Sequence, residues 1–221
     1  MDRETALRLS KEMRIHYLQI LREEWEVMIL KALFESPIGK SLIFKGGTAL
    51  RLAYNSPRFS EDLDFSVKGQ VPLKRLKAVV EAIHKSFPQA EITDFTSKYY
   101  TYLAEFRIRE DWAELPFKVK VEISKRRPYP KRSDYETALL NSPVTNIQVL
   151  GNILTLEKIF MEKAAALKTR AKAKDAFDIW YIGQKLKKKI DFKTIEIPRK
   201  ELVQDLRKYL PQNYWPIINK L

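Results

Sequence analysis

The segment FKGGTALRLAYNSPRFSEDLDFSV, residues 44–67, contains the pattern that best predicts the fold. A short apolar strand is predicted at 41–44, and a helix at 48–54 follows the glycine pair. After the Asn-Ser-Pro break, charged and apolar residues alternate over 62–67, which is typical of a strand. A strand, a glycine turn, a helix and a second strand in this order indicate an α/β domain.

The flanking sequence extends this unit on both sides. Apolar residues at helical spacing predict one or two helices over 4–35, and the pattern does not decide between them. Downstream, the sequence predicts a helix at 73–87, strands at 99–109, 117–124 and 147–150, and helices at about 155–168, 174–187 and 199–209. We therefore predict an α/β (α+β) fold with a mixed sheet and flanking helices. The predicted domains are 1–150, an α/β domain with N-terminal helices, and 151–221, a C-terminal helical lobe.

Two carboxylates on the predicted strand 62–67 are candidates for a metal site. Asp62 and Asp64 project from the same face because they are two residues apart. Neighbouring carboxylates repel each other unless a cation lies between them, and Mg²⁺ prefers oxygen ligands. Glu122 completes the site if its strand is adjacent. Taken alone, Asp-x-Asp is more typical of a polar strand face or an edge strand than of a metal site.

The glycine pair adds a candidate phosphate site. Gly46 and Gly47 allow a ligand to approach the backbone closely, and the helix that follows offers unpaired amides at its N-terminus. Thr48 adds a hydroxyl. A glycine turn before a helix, followed by Asp-x-Asp on the next strand, is more specific than either motif alone. The combination predicts a phosphate site beside a metal site.

The composition narrows the chemistry. The chain has 221 residues, no cysteine and two histidines, so thiolate metal sites and a cysteine nucleophile are excluded. Carboxylate ligands favour Mg²⁺, with Mn²⁺ as the alternative. The formal net charge of +13 favours RNA or DNA as a partner, although lysine also promotes solubility. Without a long apolar run or a secretion signal, we expect no membrane contact and a cytoplasmic location.

Two motifs, K-G-G-T-x-L at 45–50 and R-x-S-x-D-L-D-F at 58–65, resemble those of the AbiEii/AbiGii toxin family. This family belongs to the nucleotidyltransferases of the DNA polymerase β superfamily and includes the MenT toxins. The V-E-I around Glu122 and a helical stretch with Lys163 and D-x-x-D at 175–178 extend the resemblance over about residues 40–182. Lys174 departs from the arginine that is common in the family. The resemblance implies a minimal polymerase-β-type nucleotidyltransferase fold.

The resemblance also implies an activity and its residues. The activity is transfer of a nucleoside monophosphate from an NTP to an acceptor hydroxyl, with a divalent metal ion. The implied catalytic residues are Asp62, Asp64, Glu122 and Lys163. The implied metal ligands are Asp62, Asp64 and Glu122. The implied nucleotide-binding residues are Gly46, Gly47, Thr48, Arg58, Ser60, Lys163, Asp175 and Asp178.

Several of these roles have an alternative. Arg58 contacts the triphosphate, braces the acidic pair Asp62 and Asp64, or is a solvated arginine of the loop. Ser60 either binds the nucleotide or caps the entry to the strand. Lys163 either binds phosphate or joins Asp175 and Asp178 in an ion pair between two helices.

The acceptor and the partners also follow mainly from the resemblance, which implies RNA, in particular the 3′ end of tRNA, and a toxin role beside a cognate antitoxin. The loop 125–132, with Tyr129 among five cationic residues, suits an RNA backbone and an exposed base. Protein hydroxyls stay open as acceptors. Two other classes also stay open: a non-catalytic RNA-binding or interaction module on the same fold, and a structural protein whose Asp-x-Asp strand is polar surface.

Overall fold

A seven-stranded mixed sheet is the centre of the fold in a computed structural model that describes residues 1–190 and 197–221. Its strands are β1 (Leu42–Lys45), β2 (Asp62–Val67), β3 (Ala90–Ser97), β4 (Thr101–Ile108), β5 (Phe117–Ser124), β6 (Tyr135–Ser142) and β7 (Thr145–Leu154). The helices in this part of the chain are α1 (Arg3–Met13), α2 (Tyr17–Glu35), α3 (Gly46–Tyr54), α4 (Leu73–Ser86), α5 (Leu156–Thr169), α6 (Ala173–Leu186) and α7 (Arg199–Tyr209). Short 3₁₀ segments cover Gly39–Ser41, Arg132–Asp134 and Gln212–Lys220.

The strand order places β2 at the centre of the sheet. The order is β3-β4-β5-β2-β1-β7-β6, in which β2 pairs antiparallel with β1 and parallel with β5. Asp64 therefore has Lys45 opposite it on one side and Glu122 on the other. This confirms the predicted mixed sheet. It also places Lys45, the first residue of K-G-G-T-x-L, on β1, next to Asp-x-Asp on β2, which in turn lies next to V-E-I on β5.

The two faces of the sheet are covered differently. Leu63 and Phe65 are fully buried and pack in one core cluster with α2 and α4. The opposite face carries Asp62 and Asp64, because side chains alternate along a strand. On that face α3, α5 and α6 pack over β1 and β7 through the buried residues Ile43, Leu50, Leu154, Ile159 and Ile182. The face is less covered at β4 and β5, where Lys118 is exposed and Lys120 and Glu122 are half-buried.

Most predicted elements are confirmed. The strand predicted at 62–67 and the helix predicted at 199–209 have the observed bounds, and Thr155 caps α5 by accepting a hydrogen bond from the Lys158 amide at 3.3 Å. The N-terminal region forms two helices, separated at Arg14, whose φ of 54° is left-handed. His16 lies between the two helices, where its Nδ1 accepts a hydrogen bond from the Leu18 amide and caps the N-terminus of α2.

Two strands were not predicted. They are β3 and β6, and both lie at the edges of the sheet. An edge strand pairs on one side only and carries polar residues on exposed positions, so its apolar alternation is weak. The stretch AEITDFTS of β3 has only one fully buried residue, Ala90. The prediction at 147–150 was also too short, since β7 runs over Thr145–Leu154.

The helices after β7 have their own apolar cluster, formed by Ala173, Phe177, Leu202, Leu206, Leu210 and Ile218. They are tied to the region before β2 by the Phe59 amide, which donates to the Tyr209 carbonyl at 2.8 Å. The division into two domains stays a prediction, and its boundary at residue 150 falls within β7. Across the described ranges, no helix has the length and apolar character that crossing a membrane requires.

Candidate active site

Three carboxylates lie on one face of two adjacent strands. Asp62 and Asp64 are both half-buried on β2, and the parallel register places Glu122 of β5 directly opposite Asp64. Lys120 lies opposite Asp62 in the same register. The strand of Glu122 is therefore adjacent to that of Asp-x-Asp, as the predicted site requires.

Burial and the neighbouring carboxylates raise the pKa values of Asp62 and Asp64. Burial, together with the charges of Asp62 and Glu122, raises the pKa of Asp64 to about 6, against the opposing effect of Lys163 and Lys45. Burial also raises the pKa of Asp62, against the effect of Lys120 and Lys174. Like charges held this close favour a cation between them.

The residues fit a divalent cation by their chemistry, since oxygen ligands on one face suit Mg²⁺ or Mn²⁺. As their side chains are oriented, however, no group of three or more His, Asp or Glu in the described part of the chain encloses a metal position. The ligand set Asp62, Asp64 and Glu122 stays a prediction.

The two glycines open the space beside Asp64. Gly46 begins α3 with a φ of +82°, so the pair forms the first turn of the helix itself and does not form a separate turn before it. A Cβ atom on Gly46 would overlap Oδ2 of Asp64, and one on Gly47 would overlap Nη2 of Arg58 and lie 2.6 Å from Oγ of Ser60. The N-terminus of α3 can lie against the carboxylate only because these side chains are absent.

Thr48 has a partner within the fold. Its buried hydroxyl donates to the Asp62 carbonyl at 2.6 Å, which fixes α3 to the beginning of β2. The predicted phosphate contact of Thr48 is therefore left to its backbone amide, because the hydroxyl proton is already used.

Arg58 and Asp178 form the buried part of an ion network behind the site. Nε and Nη2 of Arg58 donate to the two carboxylate oxygens of Asp178 at 2.7 and 2.8 Å. Arg58 is 1% exposed and Asp178 is 0% exposed. Its burial contradicts a solvated position for Arg58, and its pairing favours a bracing role over contact with a triphosphate. The carboxylate that it braces is Asp178, however, and not the acidic pair Asp62 and Asp64. Asp178 in turn has no oxygen left for a nucleotide.

Lys163 belongs to the same ion network and places its positively charged ammonium group at the cleft. Its Nζ lies 2.8 Å from both Asp175 and Asp178. Burial opposes its positive charge, but these two carboxylates outweigh burial and raise the pKa of Lys163. Its side chain is 15% exposed and borders the same cleft as Asp64. Both alternatives for Lys163 are thus compatible, because an ion-paired ammonium can also face a ligand.

The cleft has a volume of about 890 Å³ and extends from Asp64 to the basic loop after β5. Six cationic side chains border it: Lys45, Arg126, Lys131, Lys158, Lys163 and Arg170. Three acidic ones do so as well: Asp64, Asp134 and Glu162. A surplus of positive charge beside the carboxylates suits a polyphosphate.

Sequence reasoning missed two groups of site residues. Glu162 pairs with Lys45 at 3.0 Å at the rim of the cleft, and Lys158 lies one turn before it on α5. The four-residue spacing of polar side chains on α5 was the available signal. Glu61 was missed as well, although it precedes Asp62 directly.

Glu61 is a meeting point of three helices. It binds Arg22 of α2 at 3.0 Å, Lys174 of α6 at 3.1 Å and the hydroxyl of Tyr209 of α7 at 2.5 Å. Burial opposes its charge, but Tyr209, Lys174 and Arg22 outweigh burial and lower the pKa of Glu61. Lys174, which departs from the family's arginine, thus has a partner next to the Asp-x-Asp strand.

A cation-lined cleft bordered by Asp64, with two further carboxylates on the same sheet face, suits an enzyme that acts on polyphosphates. The model of one such family, described as the nucleotidyl transferase AbiEii toxin of type IV toxin–antitoxin systems, matches residues 28–216. The chain belongs to this family of nucleotidyltransferase toxins, as the sequence motifs predicted. It is therefore an enzyme, which sets aside the binding-module and structural-protein alternatives.

Solved structures share the fold. JHP933 from Helicobacter pylori is 24% identical, with a TM-score of 0.58, over 77% of this chain and 68% of that chain. MenT4, a nucleotidyltransferase toxin from Mycobacterium tuberculosis, is 20% identical, with a TM-score of 0.58, over 93% of this chain and 70% of that chain. At these identities the likeness concerns the fold. No curated protein matches the sequence.

Proposed function

We propose that this nucleotidyltransferase moves a nucleoside monophosphate from an NTP to a hydroxyl at the 3′ end of an RNA, with tRNA as the preferred acceptor, in a Mg²⁺-dependent reaction. The observation that carries the proposal is that Glu122 lies opposite Asp64 in the sheet and that Asp64 borders a cation-lined cleft. Mn²⁺ is the alternative metal ion.

The carboxylates would hold the metal ion and handle the proton of the acceptor. Asp62, Asp64 and Glu122 are the proposed ligands, and the bound ion would neutralise charge on the triphosphate. A Glu122 oxygen accepts the proton of the attacking hydroxyl, whose oxygen bonds to the α-phosphorus while the bond to the leaving pyrophosphate breaks.

The remaining predicted residues position the substrate. The amides of Gly46, Gly47 and Thr48 at the start of α3 face the phosphates, and Lys163 supplies positive charge at the cleft wall. Ser60, beside Gly47, is proposed to contact the nucleotide. Catalysis then rests mainly on positioning and charge neutralisation, as in other phosphoryl transfers.

Three further residues lie behind Lys163 and do not contact the substrate directly. Arg58, Asp175 and Asp178 hold Lys163 in place through the network of ion pairs, and so they support nucleotide binding indirectly.

Charge and chemistry support RNA as the acceptor. The net charge is +13, and cationic side chains continue from the cleft into the loop after β5. The family's place in type IV toxin–antitoxin systems supports a cognate antitoxin as a partner. NTPs and tRNA are both cytoplasmic, so we propose that compartment as the place of action.

The proposal is tested by incubating the protein with each α-labelled NTP, Mg²⁺ and total tRNA. Label should enter tRNA, and it should be lost with EDTA and in Asp64→Asn. The matched control is Asp111→Asn, an exposed aspartate in the loop between β4 and β5, which should transfer label like the wild type. Periodate-oxidised tRNA, which lacks the terminal diol, should accept none.

The same assay separates the other acceptors. Label that enters protein and not tRNA would establish a protein hydroxyl as the acceptor. Transfer to periodate-treated tRNA would place the acceptor away from the 3′ end and contradict the proposal.

A further inference from the structure

We propose that Tyr99 and Tyr100 form a stacking platform that receives the unpaired 3′-terminal nucleotides of an RNA acceptor at the mouth of the cleft. The stacking platform comprises these two tyrosines with Lys125 and Arg126. The inference rests on the proposed RNA acceptor, and it adds two tyrosines that none of the preceding assignments includes.

Both tyrosine rings face solvent in the turn between β3 and β4. Tyr99 is 85% exposed and Tyr100 is 52% exposed, and their ring centroids are 4.4 Å apart at an interplanar angle of 89°. Tyr102, two residues further on, is half-buried, and its hydroxyl donates to the Val71 carbonyl at 3.0 Å. The two exposed rings therefore lie outside the core, where large aromatic side chains commonly mark a binding surface.

The turn that carries the rings is held in place. The Lys98 amide donates to the Thr101 carbonyl at 2.8 Å, which closes the turn. The Lys125 amide donates to the Tyr100 carbonyl at 2.8 Å, and the side-chain Nζ of Lys125 donates to the Lys98 carbonyl at 2.6 Å. The backbone of the turn is thus held against the end of β5, so little backbone entropy is lost when a base stacks on the rings.

Cationic groups accompany these rings. The guanidinium of Arg126 lies 5.2 Å from the Tyr100 ring centroid, and Nζ of Lys125 lies 4.1 Å from that of Tyr102. Farther along the same loop, Arg127 lies 5.3 Å from the ring of Tyr129. Aromatic faces for bases beside cations for phosphates are the combination that binds single-stranded nucleic acid.

Arg126 links the stacking platform to the carboxylate site, because it contacts the Tyr100 ring and also borders the cleft. Leu103 of β4 pairs with Glu122, and Tyr100 precedes Leu103 by three residues, which is roughly 10 Å along a strand. Arg126 borders the cleft that also contains Asp64 and Lys163. About three stacked nucleotides, at roughly 3.4 Å each, would cover this distance. A 3′ end held on the stacking platform would reach the carboxylates with its terminal hydroxyl.

The shape of the surface favours a single strand over a duplex. Two perpendicular rings on a narrow turn can stack only on bases that are splayed out, whereas the bases of an A-form helix are stacked on one another. The predicted occupant is consequently the unpaired end of the acceptor, with the paired region outside the cleft.

Binding measurements without catalysis test this inference separately from the proposed function. Fluorescein-labelled single-stranded RNA of 12 nucleotides and a blunt RNA hairpin are titrated with protein, without NTP or metal, and anisotropy is recorded. Tyr99→Ala/Tyr100→Ala should weaken single-strand binding about 5-fold to 100-fold, the usual effect of losing base–aromatic stacking. Tyr99→Phe/Tyr100→Phe, which keeps both rings, should bind like the wild type.

Two controls make the result specific. Tyr214→Ala removes a tyrosine in the C-terminal 3₁₀ segment and should leave binding unchanged. A 2-aminopurine at the third position from the 3′ end should be quenched by the wild type and by the double Phe variant, and not by the double Ala variant.

The inference is overturned if the double Ala variant binds single-stranded RNA as tightly as the wild type, if the wild type does not bind it, or if hairpin binding is weakened equally. NTP binding in the absence of RNA reports on the nucleotide site independently. If the double Ala variant binds both NTP and RNA like the wild type, the inference about the stacking platform is refuted, whereas the proposed transfer reaction is not affected. Loss of NTP binding or transfer in the wild type would instead contradict the proposed function.

Discussion

Arg58 binds Asp178 through two hydrogen bonds, of 2.7 and 2.8 Å, that join residues 120 positions apart in the sequence. The pair connects the loop before β2 to α6 and is almost completely buried. Because Asp178 also binds Lys163 at 2.8 Å, the position of this ammonium at the cleft depends on a contact made outside it. The loop before β2 and the C-terminal helices are thereby fixed to each other.

Asp178→Asn should destabilise the protein strongly. The variant keeps the shape of the side chain but leaves the buried Arg58 without a counter-charge. Removing one partner of a buried pair costs about 3–5 kcal/mol, and we expect a loss of this order in the free energy of unfolding from urea denaturation. Asp111→Asn is the control and should change it by less than about 0.5 kcal/mol. Equal stability of the two variants would show that the buried pair contributes little.

The contribution of Asp178 should also depend on pH. Burial opposes its ionised form, but the charges of Arg58 and Lys163 outweigh burial and lower the pKa of Asp178 below its ordinary value of 3.8. As pH falls, Asp178 is therefore protonated in the unfolded state before it is protonated in the folded state. Its stabilisation of the fold is complete above the pKa of Asp178 in the unfolded state, and it is lost as pH falls through the lower pKa of Asp178 in the folded state. The difference in unfolding free energy between wild type and Asp178→Asn should thus stay constant near neutral pH and shrink below about pH 4. A difference that grows with acidity would contradict the lowered pKa.

Gly46→Ala should abolish nucleotidyl transfer. A Cβ at this position would overlap Oδ2 of Asp64, and the φ of +82° is strained for any residue with a side chain. Strain of this kind costs about 1–3 kcal/mol, and relief by moving Asp64 would disturb the carboxylate site. Gly69→Ala is a matched control, because an added Cβ there has no atom within 4 Å. Initial rates of label transfer and melting temperatures are measured for both, and an active Gly46→Ala would contradict the close approach of α3 to Asp64.

Glu61→Gln should lower the rate of transfer more than it lowers nucleotide affinity. The variant weakens the contacts with Arg22, Lys174 and Tyr209 that fix the residue before Asp62, and each lost charged hydrogen bond costs about 1–3 kcal/mol. Glu91→Gln, which alters an exposed ion pair with Arg107 on the edge strand, serves as the control. Steady-state kinetics should show a fall in kcat with little change in KM for Glu61→Gln. A change confined to stability would make Glu61 a structural residue only.

The sequence predicted the central elements well because their burial is regular. In β2, Leu63 and Phe65 alternate with Asp62 and Asp64, and the period is clear even in six residues. The edge strands β3 and β6 escaped prediction, since exposed polar residues interrupt their alternation. The helix predicted at 48–54 begins two residues earlier, at Gly46, because glycine can begin a helix as well as form a turn.

The sequence indicated which motifs form the candidate site, but it did not indicate which side chains pair with each other there. The placement of Glu122 opposite Asp64 follows from strand pairing, which the alternation KVKVEIS made plausible. The partners of Arg58 and Lys174 depend on folding over more than 100 residues, and a single sequence contains no signal for such pairs. Exposure is equally hidden, so Tyr99 and Tyr100 could not be distinguished from the buried aromatic residues around them.

The central claim is that Asp64 and Glu122 hold the divalent cation through which the triphosphate binds. Its most direct test is the equilibrium affinity for a non-hydrolysable NTP, measured by calorimetry with Mg²⁺ and with EDTA. The wild type should bind at least about tenfold more tightly with Mg²⁺, or roughly 1.4 kcal/mol, and Asp64→Asn and Glu122→Gln should lose this difference while Asp111→Asn keeps it. An affinity that is the same with and without Mg²⁺ in the wild type, or a full Mg²⁺ effect in Asp64→Asn, would contradict the claim.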